Sequence, residues 1–137
     1  MQYVIIGNGT AGVDAAFAIR QKDPDGKILL LSASQYPHYF RPKLIDYIKE
    51  DIPAEKLYIY KDDIFASKNI EVRLNTRITA IGYKNKTVTS SAGDEYRYDK
   101  LLLALGASPF IPPTVKCSME GVFSLRGIKD ADRIREY

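Results

Sequence analysis

The chain has few of the residues that build disulfide-linked, metal-dependent or membrane-spanning proteins. Its 137 residues include one cysteine, one histidine and no tryptophan. A single cysteine, Cys117, cannot form an intrachain disulfide, which favours a reducing, cytoplasmic compartment. No apolar run is long enough to span a bilayer, and no secretory leader is expected before the first strand. His38 has no sequence neighbours that complete a catalytic triad or a metal site, so we expect a surface or packing role and predict no metal.

The chain also lacks a concentration of charge of one sign. Its 20 basic and 17 acidic residues give a net charge of +3 and are mixed along the sequence. A nucleic-acid-binding protein needs a basic stripe, and none is present. The apolar and charged fractions, 45% and 27%, are those of an ordinary globular domain. We therefore expect neither a nucleic acid nor a membrane as a partner.

The opening residues contain the pattern G-x-G-x-x-G between a predicted strand, residues 1–6, and a predicted helix, residues 11–20. In this pattern Gly7 permits the tight turn, Gly9 allows a pyrophosphate to approach the backbone, and Gly12 lets the helix pack near the strand. The free amides and the dipole at the helix start attract an anion. The pattern predicts dinucleotide binding, and the alternative is a glycine-rich turn without a ligand.

A second strand is predicted at residues 27–31, where a continuous apolar run suits a parallel strand that is covered on both faces. The dinucleotide fingerprint usually has an acidic residue at the end of this strand to bind a ribose hydroxyl. Here the stretch is Ser-Ala-Ser-Gln, residues 32–35, without a carboxylate. Ser34 is able to bond a ribose, but a neutral contact is weaker than a charge-assisted one. We expect nucleotide binding with reduced affinity.

The rest of the chain alternates short helices and short strands. The spacing of apolar residues and turn signals predicts helices at 42–49, 61–67 and 129–136, and strands at 70–74, 77–83, 87–90, 95–98, 100–104 and near 122–123. The last helix is charged and amphipathic, and we expect it to be a solvated connector. The fold class predicted is α/β, a Rossmann-like parallel sheet with a small antiparallel crossover sheet.

Four stretches together carry a family resemblance. They are residues 4–12 (VIIGNGTAG), 39–44 (YFRPKL), 98–109 (YDKLLLALGASP) and 123–126 (FSLR). With them the chain resembles the N-terminal FAD-binding segment of the pyridine nucleotide-disulfide oxidoreductase superfamily. The branch most similar to it contains the NADH:rubredoxin reductases, the ferredoxin reductases and the nitrite-reductase-like flavoproteins.

The resemblance implies a role for each matching residue. The FAD pyrophosphate would be held by Gly7, Gly9, Gly12 and the amides of Thr10 and Ala11. Ser34 would stand at the ribose, and Arg41 and Pro42 beside the pyrophosphate. Lys43 would lie near the flavin ring and tune it, and the backbone of Arg77 and Ile78 would meet the adenine. Ala104, Leu105 and Gly106 match the family's ATG turn beside the cofactor, with Leu105 replacing its threonine.

The departures from the family are also informative. No cysteine lies in the first helix or near residues 41–43, where relatives carry a redox pair or a single reactive cysteine. The resemblance therefore implies electron transfer by flavin alone, from NAD(P)H through FAD to a rubredoxin- or ferredoxin-like protein or to oxygen. No catalytic side chain is implied in this segment. Cys117 matches neither cysteine site, and we expect it to be inert.

Length is the other departure, because family members continue into an NAD(P)H domain. The chain is accordingly interpreted as a fragment, with residues 1–110 forming the first, incomplete segment of the FAD-binding domain and residues 111–137 a connector and helix. We expect the fragment to be inactive alone and to self-associate through exposed sheet edges. The alternatives are a noncatalytic nucleotide-binding module and an NAD-binding dehydrogenase domain. The missing ribose acid and the Arg41–Pro42 loop argue against the dehydrogenase.

Overall fold

A computed structural model describes residues 1–60, 63–115 and 119–137. The chain forms two compact units. The first contains Met1–His38 and Tyr60–Gly106, and the second contains Tyr39–Ile59 and Ala107–Tyr137. Cys117 and the first two residues of the helix expected at 61–67 lie outside the described residues.

The predicted α/β fold class is confirmed. The strands are β1 (Gln2–Ile6), β2 (Lys27–Leu31), β3 (Ile70–Arg73), β4 (Ile78–Gly82), β5 (Thr87–Ser90), β6 (Glu95–Arg97) and β7 (Lys100–Leu103), and the helices are α1 (Thr10–Lys22), α2 (Leu44–Ile48), α3 (Asp63–Ser67) and α4 (Ile128–Glu136). In the first unit, a parallel sheet has the order β3-β2-β1-β7, and an antiparallel sheet has the order β4-β5-β6. These seven strands agree with the predicted ones to within one residue at each end.

The two central strands of the parallel sheet, β1 and β2, are buried on both faces, which explains their uninterrupted apolar runs. On one face, Ile5 and Leu30 pack with Val13 of α1. On the other face, Leu31 packs with Val88 of the antiparallel sheet. The helix and the small sheet therefore cover opposite sides of the layer that carries the glycine-rich turn.

Arg20 joins three segments of the first unit through backbone carbonyl groups. Its guanidinium group donates hydrogen bonds of 2.6–2.9 Å to carbonyl oxygens in the α1–β2 turn and just before β3, namely those of Asp23, Pro24, Gly26, Lys68 and Asn69. Only the planar, five-donor guanidinium group offers this geometry. The side chain thus fixes the end of α1 relative to the neighbouring strands β2 and β3.

We expect Arg20→Lys to lower the free energy of unfolding by about 2 kcal/mol, because the ammonium group cannot reach all five carbonyl groups. Urea unfolding measures this change. Arg97→Lys is the matched control, because Arg97 is exposed, and it should be nearly neutral. Equal stabilities of the two variants would contradict the role of Arg20.

Asp23 closes the same turn with its carboxylate. Its Oδ1 accepts a 2.8 Å bond from the Gly26 amide, and its Oδ2 accepts a 3.0 Å bond from the Tyr3 hydroxyl. The Tyr3 bond is the largest cause that holds the pKa of Asp23 below its ordinary value of 3.8, with the Gly26 amide contributing in the same direction. The same bond raises the pKa of Tyr3. The folded state therefore favours the ionised carboxylate and the neutral phenol.

A lowered carboxyl pKa means that the unfolded chain binds the proton more readily than the folded chain. The stabilisation from Asp23 is therefore present above pH 3.8 and is lost as the pH falls through the lowered pKa. Urea unfolding between about pH 6 and about pH 2 should show a smaller acid-induced loss for Asp23→Asn than for the wild type. Identical pH profiles would contradict this linkage.

The second unit is built on the packing of α2 against α4. The helix expected at 42–49 is a 3-10 turn, Arg41–Lys43, followed by α2. The Tyr47 hydroxyl donates a 2.7 Å hydrogen bond to Asp132, and Ile128 and Ala131 of α4 are buried. The expectation that the last helix is a solvated connector is therefore wrong, because its apolar residues recur on one face that packs within this unit.

The prediction of a strand near residues 122–123 is also wrong. Among the residues that the structure describes, no strand pairs with this segment. The Phe123 ring instead packs edge-on against Tyr137, with 5.3 Å between the ring centroids. The residues have high strand propensity, but in this unit the neighbour of Phe123 is the end of a helix and not the edge of a sheet.

Among the described helices, none has both the length and the apolar content that crossing a bilayer requires.

Candidate functional site

The glycine-rich turn after β1 is compact because three backbone segments meet there. Gly7 has φ +114°, a conformation that L side chains rarely adopt, and a Cβ on Gly7 would overlap the carbonyl oxygen of Ala104. A Cβ on Gly12 would overlap the carbonyl oxygen of Gly7. The tight turn at Gly7 and the close helix–strand packing at Gly12 therefore both require the absence of a side chain.

Gly9 differs from the other two glycines because it has free space in front of it. Apart from Gly9 and its two chain neighbours, no described atom lies within 4 Å of the point where its Cβ would stand. The first helical bond runs from the Val13 amide to the Gly9 carbonyl oxygen, at 3.0 Å. The amides of Thr10, Ala11 and Gly12 precede that bond and have no acceptor within the described helix. The turn thus combines free backbone donors with an open approach.

Gly9 is the N-cap of α1, so Thr10 is the first helical residue and does not cap the helix. Thr10 and Ala11 are both exposed. The first turn of α1, described in full, contains no acidic side chain. The partial positive charge of this helix end is therefore not neutralised locally, which favours a bound anion.

The end of β7 lies beside the turn. The Ala104 amide donates a 2.8 Å hydrogen bond to the Ile6 carbonyl oxygen. Leu105 is exposed, and Gly106 has φ +69°. The structure thus brings the three predicted residues 104–106 to the strand end that carries the glycines.

Ser34 lies in a turn after β2 that also contains Ser32. The Ser34 amide donates to Ser32 Oγ at 3.1 Å, and Ser34 Oγ accepts from the Tyr36 amide at 3.0 Å. The amides of Asn75 and Thr76 donate to the carbonyl oxygens of Ser34 and Ser32. The Ser34 hydroxyl proton is not used in these bonds, so it can be donated to a ligand.

Arg77 and Ile78 follow this contact directly in the chain, and Ile78 begins β4. The Arg77 carbonyl oxygen accepts a 2.8 Å hydrogen bond from the Ser91 amide. Ser34 and the predicted adenine-contacting residues therefore lie near each other in the first unit, because Asn75, two residues before Arg77, donates to the Ser34 carbonyl oxygen.

Arg41, Pro42 and Lys43 belong to the second unit. They form an exposed 3-10 turn in which the Lys43 amide donates a 3.1 Å hydrogen bond to the Phe40 carbonyl oxygen. Their roles at the pyrophosphate and the flavin ring stay predictions.

Asn8, between the first two glycines, was not singled out by the sequence. Its side chain bonds both Ser32 and Tyr36, and its carbonyl oxygen lies 2.9 Å from Nδ1 of buried His38. The packing role expected for His38 agrees with its burial. The only available signal was the position of Asn8 inside the motif, where any residue is allowed.

A family model described as pyridine nucleotide-disulphide oxidoreductase matches residues 1–137. The chain belongs to this family. Proteins of the family use FAD and NAD(P)H. The resemblance derived from the sequence is thereby confirmed.

Individual relatives in the family agree with this assignment. The chain is 37% identical to a rubredoxin-NAD(+) reductase of Pseudomonas putida over 98% of its own length and 35% of the relative. It superimposes on an NAD-dependent persulfide reductase of A. fulgidus with a TM-score of 0.90 and 35% identity, covering 99% of this chain and 27% of that one. For putidaredoxin reductase in its covalent complex with putidaredoxin, the TM-score is 0.84 and the identity 32%, over 98% and 33% of the two chains. The chain thus spans about a third of these relatives.

The glycine geometry predicts effects of unequal size for one added methyl group at two positions. Gly12→Ala should lower the free energy of unfolding by about 1–3 kcal/mol, because its Cβ would overlap the Gly7 carbonyl oxygen. Gly9→Ala, the matched control, should change it by less than about 1 kcal/mol. Urea unfolding compares the two, and equal losses would contradict the described turn.

Proposed function

We propose that the glycine-rich turn binds the diphosphate of FAD through the amides at the start of α1. The observation that supports this proposal is the contrast among the three glycines. Gly7 and Gly12 are packed against backbone, whereas Gly9 faces open space. A turn that needed glycine for packing alone would not require one at the open position. The residues present therefore fit the diphosphate of a dinucleotide.

The remaining contacts follow from the positions of the other candidate residues. The Ser34 hydroxyl would donate to a ribose oxygen, and the backbone of Arg77 and Ile78 would border the adenine. Leu105 would offer its backbone alone, because it has no side-chain hydroxyl. Arg41 and Pro42 would contact the pyrophosphate, and the ammonium group of Lys43 would stabilise negative charge near the flavin ring.

For the whole protein, we propose an FAD-dependent oxidoreductase that takes electrons from NAD(P)H and passes them to a small redox protein. Bound FAD supplies the conversion between hydride transfer and single-electron transfer. The residues of this chain bind and orient the dinucleotide, and none of them is proposed as a catalytic acid or base. The names of the relatives, which include rubredoxin and putidaredoxin, support an acceptor of this class.

A noncatalytic nucleotide-binding module is the second candidate for these 137 residues alone. One observation favours it: G-x-G-x-x-G occurs once in the sequence, so the chain offers one dinucleotide turn where the proposed reaction needs two nucleotides. Self-association through the edge strand β7 fits this candidate, because Leu102 and Leu103 on it are 39% and 50% exposed.

Gly9→Val tests the diphosphate assignment, because its side chain would fill the open space in front of residue 9 without overlapping other parts of the protein. We expect it to abolish ADP and FAD binding in calorimetric titrations, while thermal unfolding changes little. Gln21→Val is the matched control, since Gln21 is exposed at the far end of α1, and it should bind like the wild type.

The ligand preference of the wild type separates the candidates. FAD binding with flavin absorbance in the purified protein supports the flavoprotein, whereas ADP binding without FAD binding supports the module. Unchanged ADP affinity of Gly9→Val would show that the phosphate site lies elsewhere.

A further inference from the structure

Asn8 is held at three points by the loop that follows β2. Its side-chain amide donates a 2.9 Å hydrogen bond to the Tyr36 carbonyl oxygen, and its Oδ1 accepts a 2.8 Å bond from the Ser32 hydroxyl. Its backbone carbonyl oxygen lies 2.9 Å from Nδ1 of His38. These contacts involve every polar group of Asn8 except its backbone amide. A residue between Gly7 and Gly9 is therefore more strongly restrained than its glycine neighbours.

The contact with His38 has a defined direction. A carbonyl oxygen only accepts, so Nδ1 carries the proton and donates it. The ring is buried and stacks on Tyr60 with 5.9 Å between centroids and 28° between planes. His38 is therefore a donor in a fixed orientation, and this orientation sets the position of the Asn8 carbonyl group.

Ser32 connects the same residue to the loop that carries the ribose candidate. Its hydroxyl is buried, donates to Asn8 and accepts from the amide of Ser34. The glycine-rich turn and the Ser34 turn are therefore parts of one hydrogen-bonded network, in which Asn8 is shared.

We propose that Asn8 and His38 are positioning residues that hold the glycine-rich turn in its ligand-binding conformation before the ligand arrives. This inference rests on the proposed function and adds the means by which the site is preorganised. Glycine lowers the free-energy cost of the turn conformation, but it also allows the backbone to adopt other conformations. The network restricts that freedom, so that the binding free energy of a diphosphate is not spent on ordering the turn.

The Nδ1–H donor of His38 is the group to remove and restore. His38→Leu keeps an apolar side chain in the buried position but leaves the Asn8 carbonyl oxygen without its donor. His38→Asn supplies an N–H close to the position of Nδ1. We expect His38→Leu to weaken ADP binding about tenfold, which corresponds to about 1.4 kcal/mol, and His38→Asn to restore most of the affinity. Calorimetric titration with ADP measures both, with FAD as a second ligand.

Tyr3→Phe is the matched control, because it removes one hydrogen bond at the other end of β1. It should lower thermal stability and leave ADP affinity unchanged, which separates positioning from a general loss of stability. Ser32→Ala, which removes a single hydroxyl from the network, provides a second folded variant and should also weaken ADP binding.

Three results would overturn the inference. ADP affinity of both His38→Leu and Ser32→Ala within twofold of the wild type would show that the network does not position the turn. An equal loss of ADP affinity in His38→Leu and His38→Asn would show that the effect comes from the shape of the imidazole ring and not from its Nδ1–H donor. A wild-type chain that binds neither ADP nor FAD would overturn the proposed function itself, and this inference with it.

Discussion

The close approach of three backbone segments at the end of the parallel sheet is the constraint on which the site depends. The start of α1, the end of β1 and the residue after β7 meet at Gly7, Gly12 and Ala104, at separations that leave no room for a Cβ on either glycine. This contact places the start of the helix directly over the strand ends. The free amides of the first helical turn follow Gly9, whose Cβ position has open space around it.

Within the first unit, the attraction of this corner for an anion comes from the backbone. No acidic residue lies in the first turn of α1, described in full, and the position after β2 that commonly holds a ribose-binding acid is Ser34. In the first unit, the proposed site would therefore attract a diphosphate through amides and the helix dipole, and would contact the ribose through a neutral hydroxyl. Asn8, Ser32 and His38 link this turn to the loop after β2 by hydrogen bonds.

A site that binds its ligand mainly through backbone groups suits a flavoprotein. When the cofactor performs the electron chemistry, the protein needs to bind it, orient it and adjust its surroundings. The first unit contributes a glycine-rich turn on a sheet whose central strands are buried on both faces, and Arg20 and Asp23 make hydrogen bonds at the opposite end of that sheet. The second unit, with α4 packed on α2 through Tyr47 and Asp132, presents the exposed turn that carries Arg41 and Lys43.

Local chemistry let the sequence predict the seven strands, the first helix and the fold class, because alternation, apolar runs and glycine spacing act over a few residues. The family came from the resemblance of four stretches of the sequence to known proteins. Local chemistry misjudged residues 122–123 and the last helix, because strand propensity and surface charge do not reveal which partner a segment meets. It also gave no hint that Asn8 and His38 meet, since 30 residues separate them. The sequence by itself determined where the glycine-rich turn occurs. Only the tertiary structure decided which glycine is open and what holds the turn in place, because both depend on atoms brought together from distant parts of the chain.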